Sequence, residues 1–248
     1  MALREDLERQ GNWLFKRRSY LPVLGVPIVV LALRHSEYLE MTFGEPAAAA
    51  WGLFCFCVSL FGLGIRCLTL GYVPRGTSGR NTQSQVADTL NTTGTYSFVR
   101  NPLYLGNFVI VMGVVLFIEV WWLALIVAVG FWMYYERIIF AEEEFLRKKF
   151  GSQFMEWAEH TPAFLPCFKN WKKPLLPFSF KAVLRKEFTT FFGIVAPFAF
   201  LDIAKGLLAQ GKLQFSLMWT SLFVFSLLFY LTTLVLKKKT KVLNVAGR

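Results

Sequence analysis

Six apolar stretches separated by polar connections set the rhythm of this chain. The first covers 20–34 (YLPVLGVPIVVLALR) and the second, longer one 47–71, carrying Arg66 near its end. A third (103–117) and a fourth (120–136) are separated only by Ile118 and Glu119, so the pair predicts a tight antiparallel helical hairpin. Each is slightly shorter than the roughly twenty residues that cross a bilayer. Two further spans, 188–204 and 213–236, end on Lys237, Lys238 and Lys239. Beyond Tyr135 the pattern turns amphipathic and charged (ERIIFAEEEFLRKKFG), which predicts that the fourth helix runs on out of the apolar layer as far as Gly151. Gly106 and Gly113, seven apart, share one helix face and admit a close neighbour. The expected fold is an all-α integral membrane protein of about six transmembrane helices around a central tight hairpin. It forms a single polytopic domain over 1–248.

Composition sharpens this picture. The chain has 248 residues, 55% of them hydrophobic, with 26 Phe and 8 Trp and a mean hydropathy of +0.45, too apolar for an ordinary soluble domain. The charged first twenty residues and the absence of a small-residue cleavage site after them argue against a removable leader. A net charge of +11 raises the question of nucleic acid, but the placement of the charges answers it. The Lys and Arg residues concentrate before residue 20, in 72–100, in 137–186 and after 236, with only Arg34, Lys205 and Lys212 in the other connections. That bias places both termini and the two long loops on the cytoplasmic side, with no nucleic-acid partner and no obligate protein partner expected. Basic loops there also attract acidic head groups. Arg66 is expected to snorkel towards the interface. The four cysteines show no metal-ligand spacing, so no metal site or disulfide framework is expected.

Two polar regions bracket the hairpin. Residues 72–99 form a long loop rich in Gly, Ser, Thr and Asn, and loops of that length without structure of their own are usually functional or disordered. Arg75 and Arg80 sit in it among hydroxyl and backbone donors, a composition that can cradle phosphate, although a flexible basic loop at an acidic membrane has the same look. On the far side, Arg137 and Glu144 share one helix face, Glu136 and Glu143 another, and Glu142 is rotated from both. A solvated helix end carrying local ion pairs is the bland reading of such charges. Arg100 opens the hairpin and Arg137 closes it, however, and antiparallel geometry brings both ends to one membrane depth. Ionisable groups at that depth are functional candidates.

The opening motif GTYSFVRNPLYLG resembles the G-x-Y-x-x-x-R-[HN]-P-x-Y-x-G signature of the isoprenylcysteine carboxyl methyltransferase and phospholipid methyltransferase superfamily. The closing residues Glu142, Glu143, Leu146, Phe150 and Gly151, followed by Thr161, Pro162 and Pro166, resemble that family's second motif. The likeness covers about 80–166 and leaves two additional C-terminal spans (187–236) without a signature. It implies a membrane enzyme that uses S-adenosyl-L-methionine bound in a cytoplasmic-side pocket. Carried over by position, the cofactor contacts are Asp88, Leu90, Asn91, Tyr96, Asn101, Pro102, Leu103, Tyr104 and Glu142. Arg137 matches an arginine assigned to the acceptor. Asn101 stands where prenylcysteine enzymes usually have His, which removes a titratable group.

Methyl transfer is an in-line displacement whose rate comes largely from alignment. An anionic acceptor needs no base, only a cation to position it, which makes Arg137 and Arg100 the candidates. An amine must lose a proton, which makes Glu142 or Glu143 the receiver. With the basic loops on the same side, the favoured acceptor is an acidic group, a phosphate oxygen on a lipid such as lipid A, held by Arg137, Arg75 and Arg80, with Arg137, Arg100 and Glu143 carrying the chemistry. The alternatives are N-methylation of phosphatidylethanolamine, carboxyl methylation of a prenylcysteine and, in another class, an NADPH-dependent sterol-type reductase.

Overall fold

The structure, a computed structural model, describes residues 2–18, 20–36, 38–74, 76, 85, 87–211, 213, 215–245 and 247. Nine α-helices and no strand occur among them: α1 (Leu3–Arg17), α2 (Val26–Leu33), α3 (Tyr38–Phe43), α4 (Glu45–Tyr72), α5 (Pro102–Leu116), α6 (Trp121–Phe150), α7 (Ser152–His160), α8 (Phe180–Gln210) and α9 (Leu217–Lys239). Of the six expected spans, the four in α4, α6, α8 and α9 have the length and apolarity to cross a membrane. The other two are shorter apolar helices, Val23–Leu33 and Pro102–Leu116. In the first, a short 3-10 turn at Leu21–Gly25 precedes α2, and Pro22 and Pro27 stand at the starts of these pieces, where a missing N–H costs least. Residues such as Leu125, Val129 and Trp132 on α6 and Phe225 and Leu228 on α9 remain exposed, as lipid-facing positions require.

The hairpin turns where its sequence predicts. The backbone N–H groups of Phe117, Ile118 and Glu119 close on the carbonyls of Gly113, Val115 and Leu116, and Glu119 takes a φ of 67°, uncommon for a residue with a side chain. Lys205 of α8 holds it there: its Nζ donates to Glu119 Oε1 at 2.7 Å and lies 4.5 Å over the Phe117 ring. The Gly106 and Gly113 face does admit a close neighbour, and that neighbour is α4. A methyl group at Gly62, Gly106 or Gly113 would press on backbone or side chain of the opposing helix, so the two backbones approach as glycine alone permits.

Arg66 does not snorkel. It is buried, with Nε and Nη2 donating to the two carboxylate oxygens of Glu187 on α8 at 2.8 and 2.7 Å, and Nη1 donating to Asn107 Oδ1 on α5 at 2.7 Å. Asn107 Nδ2 in turn donates to the Tyr135 hydroxyl on α6 at 3.4 Å. A partner 121 positions away gives the guanidinium a fully matched fork inside the bundle, which outcompetes a stretch towards water.

α6 has 30 residues, about 45 Å of helix. That exceeds an apolar layer of about 30 Å, so one end projects from it. α1 docks on that end. Arg4 pairs with Glu144 at 2.5 Å, Lys148 donates to Glu8 at 2.6 Å, and Arg137 Nε donates to Gln10 at 3.0 Å. Gly11 lies against the Arg137 carbonyl and Ala141, leaving no room for a side chain.

Two outcomes follow for stability. Glu187→Gln leaves Arg66 buried without its counter-charge and is expected to destabilise the protein by about 3–5 kcal/mol in denaturant titrations of micelle-held protein, while Arg66→Met with Glu187→Leu recovers most of that. Equal losses for the single and double variants would show that the pair carries no coupling. Gly11→Val is expected to cost about 1–3 kcal/mol by overpacking and to make α1 cleavable by added protease while α4 and α8 stay protected.

Candidate active site

The turn before α5 is tied to the segment after α6 by a dense set of bonds. Arg100 N donates to Pro162 O at 2.9 Å, Cys167 N to Phe98 O at 2.9 Å and Gly94 N to Lys172 O at 2.9 Å. Arg100 Nη1 adds Ala158 O at 2.8 Å, Asn101 Nδ2 adds Ala163 O at 3.0 Å, and Trp157 Nε1 adds Tyr96 O at 3.0 Å. Proline at the first position of α5 and the buried Val99 before it fix the angle at which the chain enters the helix.

This frame brings Arg100 Nε to 3.0 Å from Glu143 Oε1. The contact is an ion pair rather than an aligned hydrogen bond, so both buried atoms keep hydrogen-bonding capacity. One helical step away, Glu142 Oε1 accepts from the Tyr104 hydroxyl at 2.8 Å, and Arg18, following α1, stands 3.4 Å from that hydroxyl and 4.0 Å from the carboxylate. The Tyr104 ring packs 4.6 Å from Tyr135, and the hydroxyl of Tyr134 is buried with no hydrogen-bond partner among the described residues.

Beside the Arg100–Glu143 pair lies an apolar cavity of about 510 Å³ between α5, α6 and the segment around Phe164. Phe108, Phe131, Trp132 and Phe164 form its aromatic wall, and Glu136 and Glu143 are its charged residues. The seven-residue spacing that puts these two glutamates on one face of α6 therefore aims them at one space.

The expected site residues divide. Arg100, Glu143, Asn101, Pro102, Tyr104 and Glu142 gather where the hairpin's two ends meet. Tyr96 lies on the frame just described, and Leu103 is half-buried in the first turn of α5. Leu90 and Asn91 are half-buried in the extended approach to Gly94, and Asp88 is exposed, with its N–H on Gly76 O at 3.0 Å. Arg137 faces α1: besides Gln10 it donates from Nη1 to Met133 O at 2.7 Å. Arg75 and Arg80 lie outside the described residues. Arg18 is the residue that reading by motif missed. It is 86 positions from Tyr104, and its only local signal was a place in the basic run Lys16, Arg17, Arg18.

Among the described residues no group of three His, Cys, Asp or Glu side chains is placed to hold a metal ion. The arrangement offers instead a carboxylate, a phenol and a guanidinium in one cluster and an ion pair at the head of an apolar cavity. These suit a small zwitterionic ligand next to an amphipathic one.

Comparison with known proteins bears on this arrangement. The chain is 32% identical over 146 residues to the nickel-cobalt-cadmium resistance protein NccN of Alcaligenes xylosoxydans xylosoxydans, a match that spans 58% of this chain and 61% of that one. It is 37% identical over 79 residues to the cobalt-zinc-cadmium resistance protein CzcN of Cupriavidus metallidurans, spanning 32% of this chain and 36% of that one. The matches thus cover less than two thirds of either relative's length. No solved structure matches the chain. The phospholipid methyltransferase family model matches residues 53–153, from α4 through the hairpin to the start of α7. That segment contains the GTYSFVRNPLYLG motif and the Glu142 to Gly151 part of the second motif, so the similarity to phospholipid methyltransferases lies where the motifs do.

Proposed function

We propose that this chain is an S-adenosyl-L-methionine-dependent methyltransferase whose acceptor is the head group of a membrane lipid. Similarity to the phospholipid methyltransferase family over residues 53–153 supports methyl transfer in general. The observation that carries the lipid acceptor is the aromatic-walled cavity ending on Glu143, because an apolar tail with a polar head has the same polarity profile.

The donor fits the neighbouring cluster. Arg18 offers a guanidinium for its carboxylate, Glu142 an acceptor for its ammonium, and Tyr134 a buried hydroxyl free to bond among the described residues. α5 begins without a side-chain cap, so the backbone N–H groups of Leu103 and Tyr104 are also suited to an anionic group. When bound, the sulfonium supplies an electrophilic methyl group. The protein's part is to hold the acceptor in line and to exclude water, and the apolar wall and the frame around Arg100 serve both ends.

The cavity favours an amine acceptor over an anion. Its charged residues are carboxylates, Arg137 is spent on α1, and Arg100 serves to neutralise Glu143 rather than to leave a net positive site. In this reading Glu143 Oε1 accepts the ammonium N–H and takes its proton, while Arg100 orients the carboxylate. A second reading, the acidic acceptor such as a lipid A phosphate, draws support from the names of the relatives. Methylating a phosphate removes negative charge and weakens cation binding at a membrane surface, which would connect such a protein to metal resistance without a metal site of its own.

Lipids extracted from cells with and without the protein separate these readings by mass spectrometry. An amine-headed lipid is expected to gain one or more methylene units; a gain confined to an anionic lipid would select the second reading, and no gain in any lipid would remove both. In calorimetry on the purified chain, S-adenosyl-L-methionine is expected to bind and NADPH not to. Glu142→Gln is expected to weaken that binding by about tenfold or more, as losing a charge-assisted bond does. Glu143→Gln is expected to leave donor binding intact and lower turnover by about a hundredfold.

A further inference from the structure

Between Glu159 and Glu187 the chain has no acidic residue, and residues 165–181 read LPCFKNWKKPLLPFSFK. Large apolar side chains alternate there with lysines, and both kinds face outward. Phe168 is 73% exposed, Leu175 86% and Phe180 80%, with Trp171 also exposed. Lys169, Lys172, Lys173 and Lys181 are exposed beside them. Three prolines keep most of the stretch out of regular structure, so this is not an unfinished span.

Its position is fixed at both ends. Ser179 N donates to Gly71 O at 3.0 Å, and the Phe178 ring packs against Gly71 and Tyr72, the last turn of α4. One residue further on, Phe180 begins α8. Both are helices long and apolar enough to cross a membrane, and the segment lies where they end. At its other end Lys172 N donates to Ser97 Oγ at 2.9 Å, and Phe98 packs against Phe168 and stacks on Trp171.

Exposed aromatic and aliphatic side chains with interleaved lysines, and no carboxylate among them, match the boundary of an anionic leaflet. Rings seat at the level of the head groups, and lysine stems lie along the apolar surface while their ammonium groups reach lipid phosphates. We propose that residues 165–181 are an interfacial anchor seated in the head-group layer of an anionic leaflet, with Phe168, Trp171, Leu175 and Phe180 entering the acyl boundary. The anchor is independent of any reaction. Its bonds to Gly94 and Ser97 also mean that leaflet contact holds the turn leading to Arg100.

The test uses the full chain, one copy per lipid nanodisc, with lipids brominated high in the acyl chain. Subtracting the emission of Trp171→Phe isolates the Trp171 signal. That signal is expected to be quenched, about twofold more strongly in anionic than in zwitterionic discs. Replacing Lys169, Lys172, Lys173 and Lys181 by Gln, or raising the salt on the unaltered protein, is expected to abolish the difference between the two lipids. Trp171 left unquenched in both discs would overturn the proposal, because the segment would then stand in water or under protein. Equal quenching in the two lipids would overturn the anionic preference.

Discussion

A single buried guanidinium ties the parts of this molecule together. Arg66 bonds α8 through Glu187 and α5 through Asn107, and Asn107 passes the connection to Tyr135 on α6. Tyr135 packs on Tyr104, whose hydroxyl meets Glu142. Inside an apolar bundle these polar groups have few alternatives, so the arrangement that satisfies all of them at once is strongly singled out. Replacing such a pair with apolar side chains need not cost stability. What the network contributes is register: it fixes how far α4, α5, α6 and α8 slide past one another. α8, which lies outside residues 53–153, is therefore coupled to that segment through the same bonds that position the candidate site.

A second constraint works from the opposite end. α1 lies along the charged face of α6 because Gly11 lets the two backbones touch, and the contacts of Arg4, Glu8 and Gln10 are possible only once they do. The same docking carries Arg18 to Tyr104 and Glu142. It also explains why Arg137 and Arg100, at the two ends of the hairpin, have different work. Arg137 sits on the face that α1 covers, and Arg100 lies across the hairpin, against the face that carries Glu143.

What the sequence made legible was local or geometrically forced. Ile118 and Glu119 leave no room for anything but a tight turn, and a tight turn brings Arg100 and the Glu142–Glu143 pair to one level. The seven-residue spacings sort Arg137 with Glu144 and Glu136 with Glu143. What the face of Arg137 and Glu144 looks at was not legible, because the answers lie 127 to 140 residues away in Gln10, Arg4 and Glu8. Snorkelling was the reasonable local reading of Arg66, and only a partner from a distant helix could replace it. Arg18 was hidden in the same way, inside a basic run that looks like any cytoplasmic flank.

The sharpest consequence concerns the sign of charge at the head of the cavity. Composition pointed to an anionic acceptor, since basic residues dominate the loops. Among the described residues no lysine or arginine lines the cavity, whereas Glu136 and Glu143 do. Net charge reports the partner of the surface and lining charge reports the partner of the pocket, and in a membrane enzyme the two need not agree. Under the proposed function an amine-headed lipid would reconcile them, its ammonium presented to Glu143 and its phosphate left outside the cavity. An anionic acceptor would have to approach two carboxylates with Arg100 as the cation beside them, a less favourable arrangement unless Arg100 gave up Glu143 to receive it.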